Sequence, residues 1–192
     1  RQAALHGQVV INGLIEALLR EVDIPLTLQE IEGDAVFLYA AHPGTDTEWR
    51  SIVAEVSRKF SAFFTTFIRE SSAMQELTPC ECAVCRNAEY LGLKIVVHVG
   101  EAVFHQLAGR PQISGPDVIL AHRLLKNSVA SNEYLLLTEA AWAVMGAFLS
   151  GDFVRHREAY EGFGTLDLRV QDLSDRFLAA RDRVYRLDAG GV

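Results

Sequence analysis

Residues 93–99 read Leu-Lys-Ile-Val-Val-His-Val, a short run rich in β-branched residues. A high proportion of β-branched residues in so short a run is typical of a buried β-strand. Gly92 and Gly100 bound the run as turns, and a second apolar segment follows over residues 101–107. After a loop, a helix is predicted from about residue 116 to 127, because proline is favoured in the first turn of a helix. This order predicts a β-sheet with a helix packed against it.

The amino-terminal part of the chain predicts a helix followed by a hairpin. Apolar residues recur there at three- and four-residue spacing: Val10, Ile11, Leu14, Ile15, Leu18 and Leu19. Pro25 ends that helix. Residues 26–32 then alternate between apolar and polar, and residues 35–40 are largely apolar, so Gly33-Asp34 is predicted as the tip of a β-hairpin.

The remaining elements complete an alternation of strands and helices. A long helix is predicted over about residues 48–71, capped by Asp46 or Thr47. Further predictions are a loop at 109–115, strands at 134–137 and 164–170, a Thr138-capped helix ending near Gly146 and a helix at 174–185. The pattern favours an α+β or α/β sandwich. We expect one domain over residues 1–188 with a cysteine-rich insertion at 76–88, and a disordered tail at 189–192.

Composition excludes several protein classes. The 192 residues are 49% hydrophobic, which is enough for one sizeable core. A formal charge of -7 argues against an ordinary nucleic-acid-binding protein. No apolar run approaches the ~18 residues of a membrane-spanning helix, and no secretory leader opens the chain. We therefore expect a cytoplasmic protein without a membrane span.

All three cysteines lie in the sequence Cys80-Glu81-Cys82-Ala83-Val84-Cys85. Three thiols so close together could share one zinc ion, and the vacant fourth position would go to a histidine, a second subunit or water. Cys80, Cys82 and Cys85 are therefore predicted zinc ligands. The alternatives are reduced loop thiols or a redox-sensitive disulfide.

Three segments, in this order, resemble class III nucleotidyl cyclases: residues 30–35 (Glu-Ile-Glu-Gly-Asp-Ala), 95–101 (Ile-Val-Val-His-Val-Gly-Glu) and 115–124 (Gly-Pro-Asp-Val-Ile-Leu-Ala-His-Arg-Leu). The cysteine-rich insertion and the sequence of residues 117–127 resemble an uncharacterised bacterial branch of that superfamily, a domain of unknown function. The resemblance implies an α+β ferredoxin-like sandwich that lacks its first strand in this chain. It also implies a homodimer or a pairing with another cyclase-like domain.

The resemblance assigns roles to five residues. Asp34 matches one of two aspartates that hold Mg or Mn in active relatives, although Gly-Asp is also a common turn. Arg123 matches the catalytic arginine that stabilises the transition-state phosphate, with a surface salt bridge as the alternative. Glu30, Gly33 and Gln112 match nucleotide-binding positions, where Glu30 and Gln112 would contact a purine edge or remain solvated.

Two departures from the family pattern predict weak catalysis. Ile119 stands where relatives have a ribose-orienting asparagine, and an aliphatic side chain forms no hydrogen bond. The second transition-state cation, a lysine, has no counterpart between residues 158 and 169. We therefore expect a catalytically degenerate, dimerising or nucleotide-sensing signalling module. The alternative is an active metal-dependent cyclase that converts ATP or GTP to the cyclic 3',5'-monophosphate.

Overall fold

The structure is a computed structural model, and it describes residues 2–77 and 91–179. The chain divides into two compact units, one of residues 1–93 with 174–192 and the other of residues 94–173. Most of the cysteine-rich insertion and the whole tail at 189–192 lie outside the described residues. The prediction of a single domain over residues 1–188 stays a prediction.

Among its described residues, the first unit contains two long helices, a hairpin and a short helical segment. Its elements are α1 (Gln2–Leu19), β1 (Thr27–Glu32), β2 (Ala35–Tyr39) and α2 (Asp46–Leu77). The apolar stripe of α1 buries Val10, Leu14 and Ile15, as the spacing predicts. Residues 174–179 form a further helical segment, α5. Its Phe177 meets Phe64 of α2 edge to face at a centroid distance of 5.6 Å.

Thr45, rather than Asp46 or Thr47, caps α2. Its hydroxyl oxygen accepts the backbone N–H of Glu48 at 3.4 Å and its proton is donated to the Glu48 carboxylate at 2.6 Å. Threonine followed three residues later by glutamate is the sequence pattern of a capping box. The cap prediction was therefore wrong by one or two residues, although the helix itself is confirmed.

The β1–β2 hairpin is confirmed with Gly33 and Asp34 as its two-residue loop. Gly33 has a φ of 61°, whereas Asp34 is not among the residues with positive φ. A glycine with positive φ at the first loop position is the pattern of a type II′ turn, which suits the twist of paired strands. Asp34 is therefore an exposed turn residue.

The second unit is built on a four-stranded sheet. Its elements are β3 (Lys94–Val97), β4 (Val103–Leu107), β5 (Arg110–Ser114), α3 (Pro116–Leu124), β6 (Tyr134–Thr138), α4 (Glu139–Met145), a 3₁₀ turn (Gly146–Phe148), β7 (Val154–Tyr160) and β8 (Gly164–Asp172). The strand order is β3-β6-β8-β7, with β3 parallel to β6 and the other pairs antiparallel. β4 and β5 form a separate two-stranded sheet.

The core of this unit lies between α3 and the sheet. It consists of Leu120, Leu124, Tyr134, Leu136, Leu168 and Val170. The two leucines are four positions apart on α3, so they share one helix face. Leu124 and Leu136 are completely buried. This packing fixes α3 and every residue that it carries relative to the sheet.

Two strands were not predicted. The segment predicted as a loop at 109–115 contains β5, which pairs with β4. β7 is polar (Val-Arg-His-Arg-Glu-Ala-Tyr), but its partly buried His156, Glu158 and Tyr160 alternate with exposed residues. The described residues therefore form a mixed α+β structure, which confirms the broader fold class. The ferredoxin-like cyclase sandwich stays a prediction.

Candidate functional site

The β4–β5 hairpin stands out because its apolar side chains are exposed. All five residues of β4 are exposed, and the exposed fractions of Val103, Phe104 and Leu107 are 64%, 59% and 65%. Alternate residues of a strand point to opposite faces, so Val103 and Leu107 share one face and Phe104 lies on the other. Both faces of this ribbon therefore present apolar surface to solvent.

The tip of the hairpin has a constrained backbone. Leu107 pairs with Arg110, which leaves Ala108 and Gly109 as a two-residue loop. Their φ values are 50° and 77°. Two positive φ values define a type I′ turn, which matches the twist of the strands but is disfavoured for alanine. The hairpin thus has a fixed register and a defined tip.

The base of the hairpin is held by Asp117 in the first turn of α3. One carboxylate oxygen accepts the backbone N–H of Glu101, just before β4, at 2.7 Å. The other lies 3.1 Å from Nε2 of His98, just after β3. Because α3 follows β5 directly, this one carboxylate joins the segment that enters the hairpin to the helix that leaves it.

His98 extends this link to the central sheet. Its Nδ1 lies 3.0 Å from the hydroxyl of Thr138 at the end of β6. The same hydroxyl oxygen accepts the N–H of Ala141 and caps α4. Thr138 is 5% exposed, so its hydroxyl is out of reach of a substrate. Thr138, His98 and Asp117 have the residue types of a hydrolytic triad, but burial makes this a structural link.

The electrostatics of the hairpin base agree with the geometry. The N–H of Glu101 and the ring of His98 lower the pKa of Asp117, because both stabilise the ionised carboxylate against partial burial. Gly100 passes so close to Asp117 that a Cβ at this position would overlap the carboxylate. Asp117 can therefore make these hydrogen bonds only because residue 100 is glycine and has no side chain.

Arg123 contacts the β7–β8 turn. Its Nη1 donates to the carbonyl oxygen of Glu161, and its guanidinium lies 5.4 Å from the centroid of the Phe163 ring. A planar guanidinium stacks well on an aromatic face. The side chain thus has contacts within its own unit, whereas its predicted catalytic role stays a prediction.

The other predicted site residues are divided between the two units. Glu30, Gly33 and Asp34 lie on the β1–β2 hairpin of the first unit, and Glu30 is half-buried opposite Phe37. Gln112 lies on β5 of the second unit, opposite His105. The predicted nucleotide site stays a prediction.

The prediction of a metal cofactor was wrong for the part of the chain that the structure describes. Among residues 2–77 and 91–179, no group of three or more His, Cys, Asp or Glu side chains could hold a metal ion. Asp34 therefore belongs to no such group among the described residues. The predicted zinc ligands Cys80, Cys82 and Cys85 lie outside the described residues.

A second polar cluster joins the loop after α3 to β7. Oε1 of Glu158 accepts the hydroxyl of Ser128 and lies 2.9 Å from Nε2 of His156. Burial raises the pKa of Glu158, but the hydrogen bonds from Ser128 and His156 outweigh it and the net direction is down. Both Ser128 and His156 act on one oxygen of the same carboxylate, an arrangement that fastens the loop to the strand.

The family of the chain follows from its similarity to known sequences. A family described as "Protein of unknown function (DUF2652)" matches residues 11–134, more than half of the chain. The chain belongs to the DUF2652 family. It is also 29% identical to the "Uncharacterized protein Rv2561/Rv2562" of Mycobacterium tuberculosis over 149 residues, which are 78% of this chain and 67% of the relative.

The segment that matches the DUF2652 family contains the hairpin and most of its base. Asp117 and His98 lie inside the match, whereas Thr138 lies just beyond it. The helices formed by residues 2–77 and 91–179 include none that combines the length and the hydrophobicity of a membrane span. The predicted resemblance to nucleotidyl cyclases stays a prediction.

Sequence reasoning missed Asp117 as the residue that organises this region. One signal could have found it, because a histidine inside an apolar strand needs hydrogen-bond partners. Both ring nitrogens of His98 have such partners in the structure. Asp117 and Thr138 are 19 and 40 residues away along the chain, so local pattern could not select them.

Proposed function

We propose that this protein is a catalytically degenerate, cyclase-like signalling module that forms a homodimer through its β4–β5 hairpin. The observation that carries the proposal is the exposure of Val103, Phe104 and Leu107 on a two-stranded ribbon. The resemblance of residues 95–101 and 115–124, on either side of this hairpin, to class III cyclases supports the same assignment.

Physical chemistry favours a partner for this ribbon. A two-stranded hairpin alone is only marginally stable in water. Full burial of a side chain such as Val, Leu or Phe contributes about 1.5–3 kcal/mol, and most of this is unrealised while the side chains face solvent. Burial of the ribbon against a second copy would recover it. Both faces carry apolar residues, so a partner that surrounds the ribbon fits better than one that covers a single face.

The two sheets of the second unit differ in how their edges are protected. β4 reads Val-Phe-His-Gln-Leu and carries no Asp, Glu, Lys or Arg. β7, at one edge of the four-stranded sheet, carries Arg155, Arg157 and Glu158. Charged side chains on an edge strand discourage pairing with other chains. Their absence from β4 supports it as an interaction edge.

Two observations support the degenerate character of the module. Ile119, at the position of the ribose-orienting asparagine, is 52% exposed and offers only apolar surface. Arg123 is engaged with Glu161 and Phe163 of its own unit. A catalytic cation that must first leave these contacts would be poorly preorganised for phosphate.

The test combines oligomeric state with turnover. Sedimentation velocity of the wild-type chain over a wide range of concentrations should show a monomer–dimer equilibrium. Incubation with ATP or GTP in a buffer that contains Mg²⁺ should give no cyclic nucleotide by chromatography. A chain that remains monomeric at every concentration contradicts the dimer, and steady formation of a cyclic product contradicts the loss of catalysis.

A further inference from the structure

We infer that Asp117 and His98 form a clasp that sets the orientation of the β4–β5 hairpin and thereby controls the affinity of the dimer. This inference rests on the proposed function, because it assigns positioning residues to the same interaction surface. Neither residue contacts the partner in this proposal. They act by holding the hairpin at its base.

The geometry of the base carries the inference. Asp117 uses both carboxylate oxygens, one for the N–H of Glu101 at 2.7 Å and one for His98 at 3.1 Å. Glu101 precedes the first residue of β4 by two positions, and Asp117 follows the last residue of β5 by three. The two ends of the ribbon are therefore tied together by one side chain.

The clasp is in turn anchored to the core. His98 is 10% exposed and reaches the hydroxyl of Thr138 at 3.0 Å. Thr138 ends β6, whose five residues are all buried. The central strand thus defines the position of His98, and His98 defines that of Asp117. The exposed β4 strand has no comparable burial of its own, so its direction depends on this base.

Gly100 is part of the same device. A Cβ at residue 100 would overlap the Asp117 carboxylate, and the nearest obstacle is side-chain rather than backbone atoms. Gly100→Ala is therefore expected to push the Asp117 side chain away from its partners without deleting any polar group. This substitution and Asp117→Asn damage the clasp by independent routes.

The experiment measures the dimer dissociation constant of the full chain by sedimentation equilibrium. Asp117→Asn and Gly100→Ala should each raise it at least tenfold, while the far-ultraviolet circular dichroism spectrum stays that of the wild type. Asp167→Asn is the matched control, because Asp167 pairs with Arg157 on the exposed surface of the same unit. Its dissociation constant should stay within twofold of the wild-type value.

The direction of the effect separates the clasp from simple charge removal. The chain has a net charge of -7, so loss of one negative charge reduces repulsion between copies and tightens a dimer. The clasp requires the opposite change for Asp117→Asn. Hydrogen exchange of the wild-type chain tests the clasp even if a variant does not fold. The Glu101 amide should be protected from hydrogen exchange in both monomer and dimer, and rapid exchange would overturn the inference.

The outcomes also separate this inference from the proposed function. If the wild-type chain never dimerises, the proposed function fails. If it dimerises, and Val103→Ser with Leu107→Ser disrupts the dimer while Asp117→Asn and Gly100→Ala leave the dissociation constant unchanged, the hairpin surface stands and the clasp is refuted.

Discussion

The double substitution Val103→Ser with Leu107→Ser tests the hairpin surface. Both side chains lie on one face of β4 and about two thirds of each is exposed. If full burial contributes about 1.5–3 kcal/mol, burial of the exposed portion contributes ~1–2 kcal/mol for each side chain. A symmetric dimer buries four such side chains. Only part of this energy appears as affinity, because association costs entropy and desolvation.

The four side chains together contribute ~4–8 kcal/mol of burial energy. If half of this energy appears as affinity, the double variant loses ~2–4 kcal/mol of dimer stability, which is roughly a 30- to 700-fold increase in the dissociation constant. The monomer should hardly change, because substitutions of exposed residues usually alter the free energy of unfolding by less than ~0.5 kcal/mol. Sedimentation equilibrium measures the first quantity and urea denaturation of dilute protein measures the second.

Val154→Ser is the matched control for this experiment. Val154 is 62% exposed on β7, so it has the same side chain and nearly the same exposure on another strand of the unit. Its dimer dissociation constant should remain at the wild-type value. The reasoning is refuted if the double variant dimerises as tightly as the wild-type chain, or if Val154→Ser weakens the dimer to the same extent.

Three further predictions concern the second unit. Leu124→Ala should lower the free energy of unfolding by ~2–5 kcal/mol in urea denaturation, because Leu124 is completely buried. Leu125→Ala should lower it far less, because Leu125 is 45% exposed, and equal losses would contradict the assigned core. Tyr160→Phe should leave the free energy of unfolding unchanged or raise it, because the buried hydroxyl of Tyr160 has no hydrogen-bond partner among the described residues, whereas Tyr134→Phe should lower it by ~1 kcal/mol, because the hydroxyl of Tyr134 bonds to the amide of Asn127. Calorimetric melting should therefore rank Tyr160→Phe above Tyr134→Phe in stability, and the reverse ranking would contradict these assignments. Because the pKa of Asp117 is lowered in the folded state, its ionised carboxylate stabilises the fold above the unfolded pKa of ~3.9, and this contribution is lost as the pH falls through the folded pKa. In acid, the free energy of unfolding of Asp117→Asn should therefore fall less steeply than that of the wild type, and parallel curves would contradict a stabilising role of this carboxylate.

Local sequence pattern predicted most helices and strands of the described residues because their core faces repeat at short spacing. The apolar stripe of α1 and the Gly33-Asp34 turn needed only neighbouring residues for their identification. β7 escaped prediction because its buried face is made of His156, Glu158 and Tyr160, which are polar or amphipathic. The burial of His156 and Glu158 depends on their hydrogen bonds with each other and with Ser128, which lies about 30 residues away along the chain.

The candidate site could be predicted only in part. Segments 95–101 and 115–124 were singled out by their resemblance, and the structure places the two ends of the hairpin base within them. The prediction of a metal cofactor was wrong for the described residues, which contain no group of three or more His, Cys, Asp or Glu side chains that could hold a metal ion. A ligand set is a property of spatial proximity, which spacing along the chain does not fix.

By itself, the sequence determined the alternating elements, the acidic charge and the apolar character of β4, since these depend on residue type and near neighbours. Tertiary structure alone decided that β4 faces solvent and that Asp117 meets His98 and Glu101. The physical reason is that exposure and hydrogen bonding depend on which distant segments fold against each other. A strand pattern specifies a face to be buried, but only packing decides whether the chain buries that face itself.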